Sequence, residues 1–442
     1  MLNPNLLADF QRRDGTAVEK AFAVMAGNWA SNRWLNSSNR YRNECIQTLK
    51  KDCKTGGRLR HKDLTEYIAA SVLVHCMDGW AYLGRAINAH LVGDHDCARH
   101  LSYYAELRAA MAILGAHGVG VFSRDHVVVD SRGRCIRLHG PGTHEFVWQA
   151  LEEWAGSNDA RDAVLKCVRA GGQTLDVWLS HFSTAPALMS ILTKRWLLAW
   201  GLDIARMAED REARNLSSYR PTSFSTSRPP PADSSIKMAS LLWSACEPST
   251  DSPFAILDRQ LLRASLREAF RATEARSVKQ ARSKFKFRIN AVLRFLQPAS
   301  VPGVDWEQYL TADPTGTEVL SFAGQSDPPK VPMHGWQVAS RALLLLRIAT
   351  GSCARIVQTL PISLRHAMTG WVDSLGQDRS LWKAGDSPAS LFDLWKDPED
   401  ALRDLAADLS QLASYTELWR RQSQAAAVLS TCERVGLWGF AA

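Results

Sequence analysis

The stretch MDGWAYLGRAINAH, residues 77–90, carries an arginine at 85, an asparagine at 88 and a histidine at 90. On one face of a helix, Arg85 and His90 could work as a catalytic pair, as such residues do in some RNases. The same residues also suit an ordinary buried helix with a polar end. A second cluster follows at once. HLVGDHDCARH holds His90, Asp94, His95, Asp96, Cys97 and His100, whose imidazole and thiolate types zinc accepts. Its spacing is not HExxH, CxxC or HxE…CxxC. Gly-Asp-His-Asp reads instead as a loop between two helices with helix-capping aspartates, so no metal is expected. GVGVF at 118–122 lacks a following helix, TGGRLRHK lacks GxxxxGK[ST], and no serine sits in GxSxG. No cofactor is expected either.

Basic residues offer a different chemistry. From Arg259 to Arg294, eleven lysines and arginines meet only Glu268 and Glu274, a net +9 in a chain whose whole is +8. The positive charge is therefore local, which points to a polyanionic partner. Within 274–296, Val278, Phe285, Ile289, Val292 and Leu296 make one apolar stripe. Arg276, Lys279, Arg282, Lys284, Lys286 and Arg288 fall largely elsewhere on the same amphipathic helix. KKDCKTGGRLRHK, residues 50–62, adds Lys50, Lys51, Lys54, Arg58 and Arg60 on a glycine-containing loop, where backbone can approach a phosphate. These are the expected contacts to DNA or RNA. With no zinc finger and no RNA-recognition sheet signature, binding would run through backbone phosphates and shape. A basic helix can also dock an acidic protein, and DPEDALRDLAADL near the C-terminus supplies an acidic helix within the chain.

The elements that must position these residues are helical. Apolar residues recur at three- and four-residue spacing over 64–92, 95–117, 143–156, 186–213, 254–296, 335–349, 355–376 and 398–434. One β signal interrupts them: HVVVDSRGRCIRLHG predicts strands at Val127–Asp130 and Cys135–His139 joined by SRGR, with a helix starting near Thr143. Residues 216–237, rich in Ser, Thr and Pro, read as a linker or exposed loop that divides the chain into halves, 1–215 and 238–442. The expected class is mostly α, two tandem divergent helical-bundle repeats with one small hairpin at about 127–139. Composition is ordinary for a globular protein at 46% hydrophobic and 22% charged, and sixteen tryptophans favour large aromatic cores. The most apolar runs fall short of the ~20 residues of a membrane span. No secretory signal and no CxxC pair among nine cysteines are visible, so reduced thiols in a cytoplasm are expected.

The halves echo one another. MDGWAYLGRA from Met77 and MHGWQVASRA from Met333 share Met, Gly, Trp, Arg and Ala at the same places, 256 residues apart. Cys97–Arg99 and Cys353–Arg355 repeat at that offset, and LRAAM at 107–111 faces LRHAM at 364–368 one residue out of step. The pattern reads as an old duplication. In the first copy, the Tyr-Tyr-Ala of HLSYYAELRAAMAILGAHG and its alanine-rich apolar helix resemble the HEPN superfamily of small helical bundles, over about residues 60–155. The resemblance implies dimer-like pairing of bundles and a frequent arginine–histidine RNase motif, which Arg85 and His90 match. It implies metal-independent chemistry, the histidine moving a proton at the 2′-hydroxyl or the leaving oxygen and the arginine holding the phosphate. It also implies a setting in bacterial defence systems, alongside other protein subunits. The pair departs from the family pattern by preceding the Tyr-Tyr helix, and the second copy keeps Arg341 but has Leu346 in place of His90. Both copies retain a packing set plus one cation. Arg85 and Arg341 are therefore expected at helix interfaces, salt-bridged or capping carbonyls. The function expected from the sequence is nucleic-acid binding without catalysis, with a HEPN-type RNase and an acidic-partner scaffold as the alternatives.

Overall fold

The apolar periodicity is helical in the computed structural model. It describes residues 2–27, 34–54, 58–182, 186–219, 232–274, 278–316, 318–328, 331, 333–391, 393–407 and 427–441. Among the described residues, five helices precede the sheet: α1 (Pro4–Phe10), α2 (Gly15–Ala26), α3 (Cys45–Lys54), α4 (His61–Leu91) and α5 (His95–Ala116). After it come α6 (Thr143–Ala155), α7 (Asn158–Cys167), α8 (Leu175–Phe182), α9 (Pro186–Ala199), α10 (Met207–Tyr219), α11 (Ala232–Ser244), α12 (Ala255–Glu274) and α13 (Val278–Leu296). The last third holds α14 (Trp306–Thr311), α15 (Val319–Ala323), α16 (Met333–Gln358), α17 (Ile362–Asp378), α18 (Asp393–Ala407) and α19 (Arg434–Ala441). Strands β1 (Val119–Gly120), β2 (Asp125–Val129) and β3 (Cys135–His139) form an antiparallel sheet in that order. A second hairpin pairs β4 (Arg169–Ala170) with β5 (Gln173–Thr174). The predicted hairpin is present two residues earlier at its start. Asp130 belongs to the turn, where its Oδ1 accepts from the backbone of Arg132 and Arg134 and Gly133 takes the left-handed conformation at φ +72°.

Three long helices make the centre. α4 and α5 form an antiparallel hairpin, broken at Gly93 (φ +80°) and restarted where the Asp94 carboxylate accepts from the Cys97 amide at 3.0 Å. Helix α16 lies against both. Every residue from His334 to Thr350 is buried. A helix enclosed on all sides must find partners for its polar side chains inside the protein. Arg341 forms a two-pronged ion pair with Asp210 of α10 at 2.9 and 2.7 Å and donates to the carbonyls of Ala323 and Gln325. Arg347 does the same with Asp258 of α12 at 2.8 and 2.9 Å. Thr350 accepts from the Trp80 indole at 3.0 Å. Arg341 is thus both salt-bridged and capping, as expected, whereas Arg85, for which the same was expected, is exposed on α4.

The core is continuous from Leu2 to Phe440, so the segments on either side of 216–237 share it. Of that Ser/Pro-rich stretch, residues 216–219 complete α10 and 232–237 begin α11; residues 220–231 lie outside the described residues. The two segments that echo one another in sequence lie on α4 and α16. α4 and α16 run antiparallel, and their equivalent positions touch: a Cβ on Gly79 would stand 2.7 Å from Leu346 Cδ2, and one on Gly335 would stand 2.6 Å from His90 Cε1. Gly79 and Gly335, like His90 and Leu346, are 256 residues apart. Cys97–Arg99, however, begins a second helix, whereas Cys353–Arg355 continues the first, because Gly351 stays helical where a break was expected near 350. α16 ends only at Gln358, ahead of Pro361.

Candidate nucleic-acid interface

Arg85 and His90 are not brought together. Five residues on a helix place side chains about 140° apart, and here Arg85 is exposed while His90 is 0% exposed. The guanidinium of Arg85 lies 6.0 Å from the Tyr82 ring centroid. His90 stacks on Trp336 with ring centroids 4.0 Å apart and shares a hydrogen bond of 3.2 Å between its Nδ1 and that of His95. Burial, with His95 beside it, holds His90 well below the ordinary histidine range. It is neutral and enclosed. Asp94 caps, Asp96 pairs with Arg99 at 2.8 Å, and His100 bonds Ser218 at 2.9 Å, so the His/Asp/Cys cluster is spent on local structure. Among the described residues no group of three or more His, Cys, Asp and Glu side chains is placed to hold a metal ion.

A buried ionisable group, whose acidic members no sequence pattern singles out, surrounds Arg341. Glu106 of α5 and Asp210 of α10 meet there, with Glu106 Oε1 3.6 Å and Asp210 Oδ1 2.7 Å from the guanidinium and His334 3.6 Å from Asp210. Burial, reinforced by Asp210, raises Glu106 well above the usual carboxylate range, and burial raises Asp210 despite the arginine. Burial lowers His334 to about 3. Two buried carboxyls near one guanidinium therefore both favour the protonated form more than a free carboxyl does. Only their meeting in space makes them a group, since Glu106 sits in an alanine-rich helical pattern that reads as packing.

The basic residues are disposed by α3 and α13. The stripe of α13 packs inward: Phe285, Ile289 and Val292 are buried, with Phe285 ring contacts to Phe270 at 5.2 Å and Phe182 at 5.9 Å. Arg282, Lys284 and Lys286 are exposed and Arg288 is half-buried. The side chain of Lys279 and the whole of Arg276 lie outside the described residues. Several cations of the 259–294 segment find acids the local count could not see. Lys286 meets Glu307 at 2.7 Å, Arg267 meets Asp313 at 3.1 Å, and Arg263 pairs with Glu318. Arg288 donates to the Phe182 carbonyl and lies over the Phe182 and Phe270 rings. The excess of +9 along the sequence is therefore smaller in space. On α3 and the segment that follows, Lys50, Lys51, Lys54, Arg58 and Arg60 are all exposed, and Arg137 of β3 lies close enough to act on Cys53. The same α13 exposes two aromatic rings, Phe287 at 70% and Phe295 at 68%, the latter 4.0 Å from the His181 ring. In comparison with known proteins, no family model, curated sequence or solved structure matches this chain.

Proposed function

We propose that the protein binds nucleic acid through its backbone phosphates, without cleaving it. The observation that carries the reading is the outer face of α13. Lys284, Phe287 and Arg294 fall on one exposed stripe, opposite the buried Phe285, Ile289 and Val292. An exposed ring between cations suits an unpaired base stacked over phosphate contacts, an arrangement that tolerates sequence. The exposed cations of α3 and the 58–60 segment supply a second phosphate surface. The RNase alternative needs Arg85 and His90 to converge on one phosphate, and α4 points them apart.

The test is binding of single-stranded DNA and RNA across a salt series. Lys284→Gln with Arg294→Gln should flatten the slope of log affinity against log salt by about 1.4 on a single strand, at about 0.7 per contact. Phe287→Ala should weaken binding by roughly 1–3 kcal/mol. Lys50→Gln, Lys54→Gln and Arg58→Gln together report on the second surface in the same assay. If affinity and slope stay as in the parent for all of these variants, the basic surfaces serve an acidic protein partner instead.

Through the resemblance to HEPN bundles, the proposal extends to a subunit of a bacterial multi-protein system of the anti-phage kind. We also propose that α4 and α16 descend from one repeat. The paired Gly79–Leu346 and Gly335–His90 contacts support this, since each maps onto the other by the 256-residue offset.

A further inference from the structure

Where α7, α16 and the β4–β5 hairpin meet there is a cavity of about 240 Å³. Four cations line it, Lys166, Arg169, Arg347 and Arg355, and no carboxylate does. Their bonds within the protein are incomplete. Arg347 uses Nε and Nη2 on Asp258, with Nη2 also on the Cys167 carbonyl, and Nη1 takes no part in these bonds. Arg355 meets Glu19 through Nη1 at 3.1 Å, while its Nε is buried with no hydrogen-bond partner. The Nε of Arg169 is likewise buried and unpartnered. The space itself depends on a glycine. A Cβ on Gly351 would stand 2.3 Å from the Cβ of Cys167 and 3.2 Å from Arg347 Nη1, so only glycine lets α16 approach the end of α7 this closely.

We propose that this cavity binds one phosphoryl group, either inorganic phosphate or the head of a small phosphorylated metabolite. Buried guanidinium donors without acceptors are unfavourable, and a tetrahedral oxyanion offers several acceptors to forked donors at once. One of the four charges is already balanced by Asp258 and another by Glu19, which leaves Lys166 and Arg169 to match a dianion. The two hydroxyls on the wall give their protons to the chain, Thr174 to Asp176 and Ser352 to the Ile348 carbonyl. Beside the Gln358 amide, which also lines the wall, the donors that remain are cationic, and this favours a charged ligand over a neutral polyol. The volume lies below the roughly 300–1,000 Å³ of pockets that enclose whole drug-sized ligands, so the phosphoryl group would be held and the rest of any metabolite would project outward.

The measurement is thermal unfolding of the full chain with increasing inorganic phosphate, against sodium chloride at matched ionic strength. The midpoint should rise with phosphate and not with chloride, because a ligand that binds only the folded state stabilises it by mass action. Lys166→Gln with Arg169→Gln should weaken the apparent affinity roughly tenfold or more, as loss of two charge-assisted bonds implies. Should that variant fold poorly, Ala354→Glu places a carboxylate on the same wall from a helical position and should abolish the phosphate effect. Arg282→Gln with Arg294→Gln, on the α13 surface, should leave it intact. A phosphate effect absent from the parent, or equal in parent, double variant and Ala354→Glu, overturns the proposal. Ribose 5-phosphate distinguishes the two sources: tighter binding than phosphate assigns the pocket to a metabolite head group, and equal binding assigns it to the free ion.

Discussion

At the scale of single residues, His90 shows how a suggestive side chain is used as a wall. It stacks on Trp336, touches the backbone of Gly335, and stands where Leu346 stands against Gly79. A leucine of similar volume should therefore serve. His90→Leu is expected to stay within about 1.5 kcal/mol of the parent, as volume-conserving core replacements do. His90→Ala should lose roughly 2–5 kcal/mol by opening a cavity beside Trp336. Urea unfolding separates the two, and nucleic-acid affinity should be unchanged in the leucine variant. A well-folded His90→Leu protein that had lost a nuclease activity present in the parent would restore the catalytic reading.

At the scale of elements, α16 is held by two devices, buried arginines paired outward and small residues where neighbours come close. Gly351 is the tightest of these approaches, since the Cβ of Cys167 cannot swing away. Gly351→Ala is expected to cost about 1–3 kcal/mol by overpacking, although alanine is the better helix former. Gly370, exposed on α17 with nothing within 4 Å of where its Cβ would be, makes the converse case. Gly370→Ala should stabilise by up to about 1 kcal/mol through helix propensity alone. Denaturant midpoints of the pair give the answer. Equal effects of one sign would show that α16 and α7 adjust freely at their contact.

For the whole molecule, the burial of neutral histidines sets a pH limit. His90, His117, His126 and His334 are all nearly inaccessible. Burial lowers His117 and His126 to about 4 and His334 to about 3, with His90 also well below its ordinary value. At His126 burial outweighs the opposing hydrogen bond of its Nε2 to the Pro141 carbonyl at 2.9 Å, while its Nδ1 accepts from the Phe122 amide. Because these folded values lie below the ~6.5 of an unfolded histidine, the unfolded chain binds protons first. Their stability is full above pH ~6.5 and is lost as pH falls from there, at up to ~1.4 kcal/mol per pH unit for each ring. Glu106 works in the opposite sense. Its folded value is raised, as is that of Asp210, so both contributions are present at low pH and fade as pH rises toward those values, offsetting part of the histidine loss. The melting temperature should therefore drop steeply between pH 6.5 and 5. A flat profile there would mean that these rings are charged or accessible in the folded protein.

Much of this protein is legible in its residues alone. The helical periods, the SRGR turn, the helix beginning at Thr143 and the amphipathic pattern of α13 all follow from local propensity and spacing, which act within a few residues and need no tertiary partner. The expected end of a helix near Gly351 did not follow, because glycine marks a break only when nothing requires it to be small, and Cys167 does require that. Charge was legible as a sum and misleading as a field, since Glu307, Asp313 and Glu318 come to the basic segment from beyond it. The separation of Arg85 from His90 already follows from their five-residue spacing on a helix, whereas the burial of His90, the meeting of Glu106 with Asp210 and Arg341, and the four-cation cavity were decided by tertiary structure alone. Each depends on which face of a helix is enclosed and by what, and that is settled only when helices distant in sequence pack together.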